Sequence, residues 1–417
     1  MLPRLLIGSE GTLGFIAEAV LDTLPTYPVK STAFLLFDSP ALAAEATQVF
    51  ADSGARAVEF FDRASLEAVD AVARQLLGDD VVFFDDSSAL LVEYQVRDQA
   101  ALEALQPAIA AALDAVTLAQ PASFTSDAER QALIWKARKG LYPAVGAMRA
   151  KGTTAIIEDV AVALPKLPAC VAGLQELFAR HGYEGSIIFG HAKDGNLHFV
   201  ITQEFDDDAA VQRYGAFMDD LVELIAKRLD GALKAEHGTG RNIAPFVETE
   251  WGGEAHGLMR RLKALFDPQG VLNPGVIIND DPRCHLAHLK DLPLVGDEVD
   301  ACVECGFCEK VCPSAELTLS PRRRIAVLRH MGRLREEAKA ARTAHLDQLM
   351  ESFGYAGLDT CAADGLCAGA CPVGIDTGKL VKRLRGERLG PKQRRRGRWA
   401  ANNYRSVEGW LRFGLRL

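Results

Sequence analysis

Four cysteines within eleven residues constrain this chain more than any other feature: Cys302-x-x-Cys305-x-x-Cys308-x-x-x-Cys312-Pro313. In an iron–sulfur run of this spacing the first three cysteines bind one [4Fe–4S] cluster and the fourth reaches another. A structural zinc site ordinarily uses two separated cysteine pairs, which this run does not resemble. A second stretch, Cys361-x-x-Asp364-x-x-Cys367-x-x-x-Cys371-Pro372, follows the same template with Asp364 where the second cysteine should stand. A ferredoxin-like exchange then gives Cys302, Cys305, Cys308 and Cys371 to one cluster and Cys361, Cys367 and Cys312 to the other. Asp364 is either a fourth, oxygen ligand or a loop residue beside a labile iron, with water or another side chain filling the position. Carboxylate is a harder ligand than thiolate. The second cluster is therefore expected to lose iron readily or to exist as [3Fe–4S].

Between the two motifs Pro321–Ser352 reads as helical, with charges of alternating sign from Arg333 to Arg342. The run Arg322-Arg323-Arg324 reads as a solvated helix start. This part looks like a helical ferredoxin module, as in the iron–sulfur subunits of respiratory dehydrogenases.

The remaining chemistry centres on Gly190-His191-Ala192-Lys193-Asp194-Gly195-Asn196-Leu197-His198. Ser186–Phe189 and Leu197–Thr202 read as strands, and the Asp-Gly between them is a strong hairpin signal. With Asp194 and Gly195 as the central turn residues, His191 faces His198 across the hairpin, close enough for both imidazoles to share a divalent ion. The best source of a third ligand is Ala235-Glu236-His237-Gly238-Thr239-Gly240-Arg241, on a turn after an expected helix from Asp219 to Lys234. Two histidines and a carboxylate leave a coordination position open, as a catalytic metal site requires.

Both stretches resemble the cap domain of the FAD-linked D-2-hydroxyacid dehydrogenases, flavoproteins of the vanillyl-alcohol-oxidase type. The resemblance implies His191, His198 and Glu236 as ligands of one divalent metal, expected to be zinc, and His237 as the base that takes the substrate hydroxyl proton. It implies Arg138, on an expected helix Asp127–Leu141, as the holder of the substrate carboxylate, a task for which a planar guanidinium is suited. Where some relatives carry an Asn two residues after the second His, this chain has Val200.

Glycines at Gly8, Gly11 and Gly14, with Ser9, Glu10 and Thr12, allow backbone N–H groups to approach a phosphate or flavin edge. This stretch is similar to the signature that closes the FAD-binding domain of the same family. The run Asp267-Pro268-Gln269-Gly270-Val271-Leu272-Asn273-Pro274-Gly275 resembles the ending of the family's cap domain and adds Asn273 to the cofactor-binding set. Thr32–Phe37, Val81–Phe84, Leu90–Gln95 and Thr154–Ile157 are expected strands, and Ala41–Ser53 and Asp98–Leu113 expected helices.

The expected fold class is α+β: a ferredoxin-like FAD-linked oxidase cap domain followed by an α-helical ferredoxin domain. Residues 1–29 are read as a remnant of the FAD-binding domain, 30–279 as the cap, 280–298 as a linker, 299–385 as the ferredoxin domain and 386–417 as a basic segment. Most of the flavin-binding half is expected to lie in another part of the same gene product or in a separate chain.

Composition narrows the class further. The 417 residues, 48% hydrophobic and 25% charged, suit a globular protein of two or three domains. A net charge of −9 argues against a general nucleic-acid binder. With no apolar run of 18 residues and no leader-like start, neither a membrane span nor a secretory signal is expected. Clustered cysteines point to cofactor chemistry in a reducing cytoplasm, with peripheral contact at the inner membrane face as a variant. The expected activity is oxidation of a small D-2-hydroxy acid, D-lactate first, with electrons passing from FAD through two clusters to a quinone, a cytochrome or another iron–sulfur protein. The alternatives are D-2-hydroxyglutarate as substrate, or a non-catalytic electron-transfer subunit.

Overall fold

The computed structural model describes residues 2–205, 207–238, 240–290, 292–337 and 344–415. It divides into two compact units, Met1–Asp291 and Leu292–Leu417, with the division inside the segment 280–298.

In the first unit six strands pair antiparallel throughout: β1 (Val29–Phe37), β2 (Ala57–Phe61), β3 (Ser88–Val96), β4 (Thr154–Ala161), β5 (Ile187–His191) and β6 (Asn196–Gln203). Their order is β1-β3-β2-β5-β6-β4. The strands are apolar on both faces because both are covered. One face carries Leu35, Phe60, Val92, Ile188 and Phe199, packed with residues of α1 (Pro40–Asp52), α2 (Gln99–Asp114), α4 (Leu167–His181) and α5 (Asp208–Val222). The other face carries Leu36, Phe61, Leu91, Phe189 and Val200, and is covered in part by α3 (Ala128–Met148). Asp127 starts α3 by accepting from the Arg130 N–H, and Ile134, Ala137, Leu141 and Val145 repeat at helical spacing along its buried stripe.

Two sequence expectations are corrected here, and one strand lies where none was expected. Val81–Phe84 joins no ladder: Asp79, Asp80, Asp85 and Asp86 flank it, and Val82 and Phe84 stay more than half exposed. β2 was missed because Glu59 interrupts its five-residue apolar run. The expected helix Asp219–Lys234 is displaced: α5 runs from Asp208 and passes into a π turn ending at Arg228. Beyond it the chain reverses, and Ala232 bridges to Ala161 of β4. A side chain at Gly231 would put its Cβ 2.5 Å from the Ala161 carbonyl oxygen. That close approach sets the Glu236 loop beside the sheet.

The second unit is built on α6 (Pro321–Glu337), α7 (Ala344–Phe353) and α8 (Thr377–Glu387). Its apolar groups are small: Met331, Leu346, Phe353, Leu358 and Val381 in one, Val299, Ile325 and Leu380 in the other. Part of the alternating-charge stretch, residues 338–342, lies outside the described residues. Two further helices, α9 (Pro391–Asn402) and α10 (Tyr404–Gly414), bury no residue. Among the described residues no helix is long and apolar enough to cross a membrane.

Candidate active site and cluster-binding region

The sheet register builds the first site. Phe189 lies opposite His198, so the hairpin is two residues out of the expected register and its loop runs through a 3₁₀ turn, Ala192–Asp194, to Gly195. His191 is therefore diagonal to His198 rather than opposite. A shift of two keeps both side chains on one face, and the rings still meet edge to face at 5.3 Å between centroids. Glycine is required at both ends of this loop. Gly195 has φ +68°, and a Cβ there would lie 1.9 Å from the Val162 oxygen. At Gly190 a Cβ would lie 2.5 Å from the Asn196 oxygen.

Each histidine faces a carboxylate on the next strand. Glu59 of β2 is opposite His191, and its Oε1 lies 2.7 Å from Nδ1. Asp159 of β4 is opposite His198, with Oδ1 3.0 Å from Nδ1. Both Nε2 atoms are left to converge on Glu236 Oε1, at 3.1 Å each. Donor atoms of His191, His198 and Glu236 all lie within 4.8 Å of one another. Metal-bound imidazoles ordinarily have their other ring nitrogen held by such a partner, so the donor set fits a divalent cation. A second group, Asp159, His198 and His237, meets the same distance limit.

Asp159 also fixes the third ligand's loop. Its Oδ2 accepts the backbone N–H groups of Glu236 and His237, and its Oδ1 accepts from Asn196 Nδ2 at 2.6 Å. Burial alone would raise the Asp159 pKa, but the His198 contact and these N–H donors outweigh it and hold it well below the usual range. Burial likewise pushes Glu59 up, and the His191 and Arg138 contacts bring it below its ordinary value. The Glu59 contact in turn raises His191. His237 stacks on His198 with 4.6 Å between centroids and 9° between planes, its Nε2 3.6 Å from Glu236 Oε1.

Arg138 enters from α3. Its Nε donates to Glu59 Oε2 at 2.6 Å, and its guanidinium lies over the Phe189 ring at 4.8 Å. Glu59 thus joins the expected carboxylate clamp, Arg138, to His191, one of the candidate metal ligands. Neither Glu59 nor Asp159 was singled out in the sequence. The signal was there in both cases: acidic residues inside strands that are otherwise largely apolar, Glu59 alone in β2 and Asp159 beside Glu158 in β4.

The amino-terminal motif meets the Glu236 loop from the other side. Glu10 pairs with Lys234, its Oε2 accepts from Gly240 N–H at 3.1 Å, and its carbonyl accepts from Asn273 Nδ2 at 2.7 Å. The Glu10 carboxylate is therefore engaged within the chain. Ser9, Thr12 and Gly14 are buried, while Gly8 and Gly11 are exposed with φ of +76° and +75°. Thr239 lies outside the described residues. Val200 is fully buried with Ile187 and Phe189, so that position offers no polar contact.

In the second unit one hollow is lined by Cys312, Cys361, Asp364 and Cys367, among others. Cys371 is not among its walls. Asp364 is exposed and accepts from the Leu366 N–H at 3.1 Å. Three thiols and a carboxylate around one hollow fit an iron–sulfur cluster with an incomplete thiolate set. The three-arginine run departs from expectation: Arg322 and Arg323 pair with Glu309, but Arg324 is 1% exposed.

Residues 26–277 match the family described as FAD linked oxidases, C-terminal domain, and residues 298–375 match the 4Fe-4S dicluster domain. The chain is similar to a glycolate oxidase subunit of Bacillus subtilis, 31% identical over 68% of this chain and 58% of that protein. It is similar to a probable mitochondrial D-lactate dehydrogenase of Danio rerio, 27% identical over 66% of this chain and 54% of that protein. Its likeness to the D-2-hydroxyglutarate dehydrogenase of Escherichia coli, at 27% identity, extends over 92% of this chain and 43% of that protein. The chain spans about half the length of the curated relatives it matches.

Proposed function

The chain belongs to the FAD-linked oxidases through their C-terminal domain, followed here by a 4Fe–4S dicluster domain, and we propose that it forms the substrate-binding and electron-relay part of a D-2-hydroxyacid dehydrogenase acting on D-lactate. The observation that carries this reading is the convergence of His191 Nε2 and His198 Nε2 on Glu236 Oε1, with Glu59 and Asp159 behind them.

When bound, a divalent ion at this set would acidify a substrate hydroxyl and FAD would accept the hydride. The chain's own residues do the rest. Arg138 binds the substrate carboxylate through its guanidinium, steadied at Nε by Glu59. His237 takes the hydroxyl proton at Nε2, and its stacking on His198 keeps the ring at the ligand set. Glu59 hydrogen-bonds Nδ1 of His191, and the Asp159 carboxylate beside Nδ1 of His198 favours a proton there, so that Nε2 of each ring is free to coordinate.

A second reading is D-2-hydroxyglutarate. It is favoured by the Escherichia coli relative of that name, whose likeness reaches across both units of this chain, whereas the glycolate and D-lactate relatives cover about two thirds. Burial of Val200 supports the smaller monocarboxylate. Dye-coupled turnover of D-lactate, L-lactate and D-2-hydroxyglutarate, in a preparation that includes the flavin-binding half, separates the readings. His237→Ala should abolish most turnover with metal content unchanged. Undiminished turnover in that variant would remove the base assignment.

A further inference from the structure

Arg324 is among the largest fully buried side chains in the protein. Its Nε donates to the Gly357 carbonyl at 2.7 Å, its Nη2 to Ser314 Oγ at 2.7 Å, and its Nη1 lies 3.8 Å from Cys312 Sγ. Ser314 Oγ is itself 3.3 Å from that sulfur. None of these partners is a carboxylate, and among the described residues no carboxylate forms an ion pair with Arg324. A buried guanidinium without a counter-ion is costly. Its charge calls for an anion in the adjoining cavity, which Arg324 lines together with Cys312, Cys361, Asp364 and Cys367.

The first cysteine run is arranged differently. Arg329, 4% exposed, reaches the Cys302 carbonyl at 3.0 Å but is neutralised by Glu304 at 2.9 Å. Arg385 adds a second cation beside the other set, donating to the Cys361 carbonyl at 2.6 Å. Two carboxylates oppose these charges. Asp364 is exposed, and Asp376, with Oδ1 4.0 Å from Cys367 Sγ, is engaged in capping α8. Water screens both more than it screens the buried guanidinium.

We propose that Arg324 is the counter-ion of the cluster held by Cys312, Cys361 and Cys367, and that its unneutralised charge makes this cluster the higher-potential of the two. This rests on the two-cluster reading. Adding an electron makes a thiolate-ligated cluster more negative, so a nearby fixed positive charge favours the reduced form. Electrons entering at the first cluster would then run downhill to the second.

The test is an anaerobic redox titration of the full chain, followed by electron paramagnetic resonance, with iron quantified. Cys367→Ser identifies the second cluster's signal. In Arg324→Met, the reduced-to-oxidised ratio of that cluster at a fixed potential should fall on the order of tenfold, about 59 mV for a one-electron couple. The first cluster should be unmoved, and Arg324→Lys should keep most of the wild-type potential. Selective loss of the second cluster in Arg324→Met but not in Arg324→Lys also supports the assignment. An unchanged potential in Arg324→Met, or equal loss of the cluster in both variants, overturns it. A wild-type chain that shows one cluster only, even after anaerobic reconstitution with iron and sulfide, overturns the two-cluster reading, and the inference with it.

Discussion

Asp159 lies directly across the β4–β6 ladder from His198, its Oδ1 3.0 Å from the imidazole Nδ1, while its other oxygen holds the backbone N–H groups of Glu236 and His237. One buried carboxylate therefore contacts His198 and fixes the backbone of Glu236 and His237, two candidate ligands and the expected base. Asp159→Asn keeps the shape but removes the charge. Metal affinity should fall by about 10- to 100-fold, the usual effect of losing such a partner. Competition with a chelating indicator measures it, and unaltered affinity would show that His198 needs no charged neighbour.

Glu59 sits between Arg138 and His191, with its side chain 5% exposed. Glu59→Gln leaves the Arg138 guanidinium without its anion. We expect a loss of roughly 3 kcal/mol in stability, within the range for breaking a buried pair from one side. Urea unfolding of the apo chain reads this directly. A smaller loss accompanied by weakened metal binding would place the role of Glu59 at His191 alone.

Glu158 is buried, its Oε2 has no hydrogen-bond partner among the described residues, and its Oε1 accepts from Asn242. Burial raises its pKa from the ordinary 4.5 to about 8. The folded state then binds a proton that the unfolded state releases between those values. The neutral carboxyl's contribution is complete below about 4.5, declines as pH rises, and is lost through about 8. Glu158→Gln should flatten this part of the stability–pH profile, which denaturation at a series of pH values would reveal. An identical slope in the variant would mean that Glu158 ionises normally.

Gly195 closes the histidine hairpin in a left-handed conformation against the Val162 carbonyl. Gly195→Ala meets backbone, which cannot swing aside as a side chain can. The cost should exceed the ~1 kcal/mol of an ordinary Gly-to-Ala penalty at positive φ, and bound metal should fall with it. Calorimetry and metal analysis on one sample would check both. A variant that melts like the wild type would show that the hairpin can re-form without this turn.

Which residues the fold brings together was in large part legible in the sequence, because candidate chemistry depends on residue type and local spacing. Cysteines three and four apart, two histidines astride an Asp-Gly turn, and Glu-His before glycines mark candidate sites without a fold. The two-His clip survived an error of register because strand side chains repeat every two residues, and the slip was two. What the sequence could not declare was who stands behind those residues. Glu59 is 132 positions from His191 and Asp159 is 39 from His198. Only the strand order β2-β5-β6-β4 brings the pairs together. Arg324 shows the same limit more sharply. By its neighbours Arg322 and Arg323 it belongs to a solvated helix start, yet the packing of the 354–359 turn and Ser314 against it removes it from water. Local pattern determines which groups can do chemistry. Burial and cross-strand partnership, which are properties of the whole fold, decide the charge and orientation in which they do it.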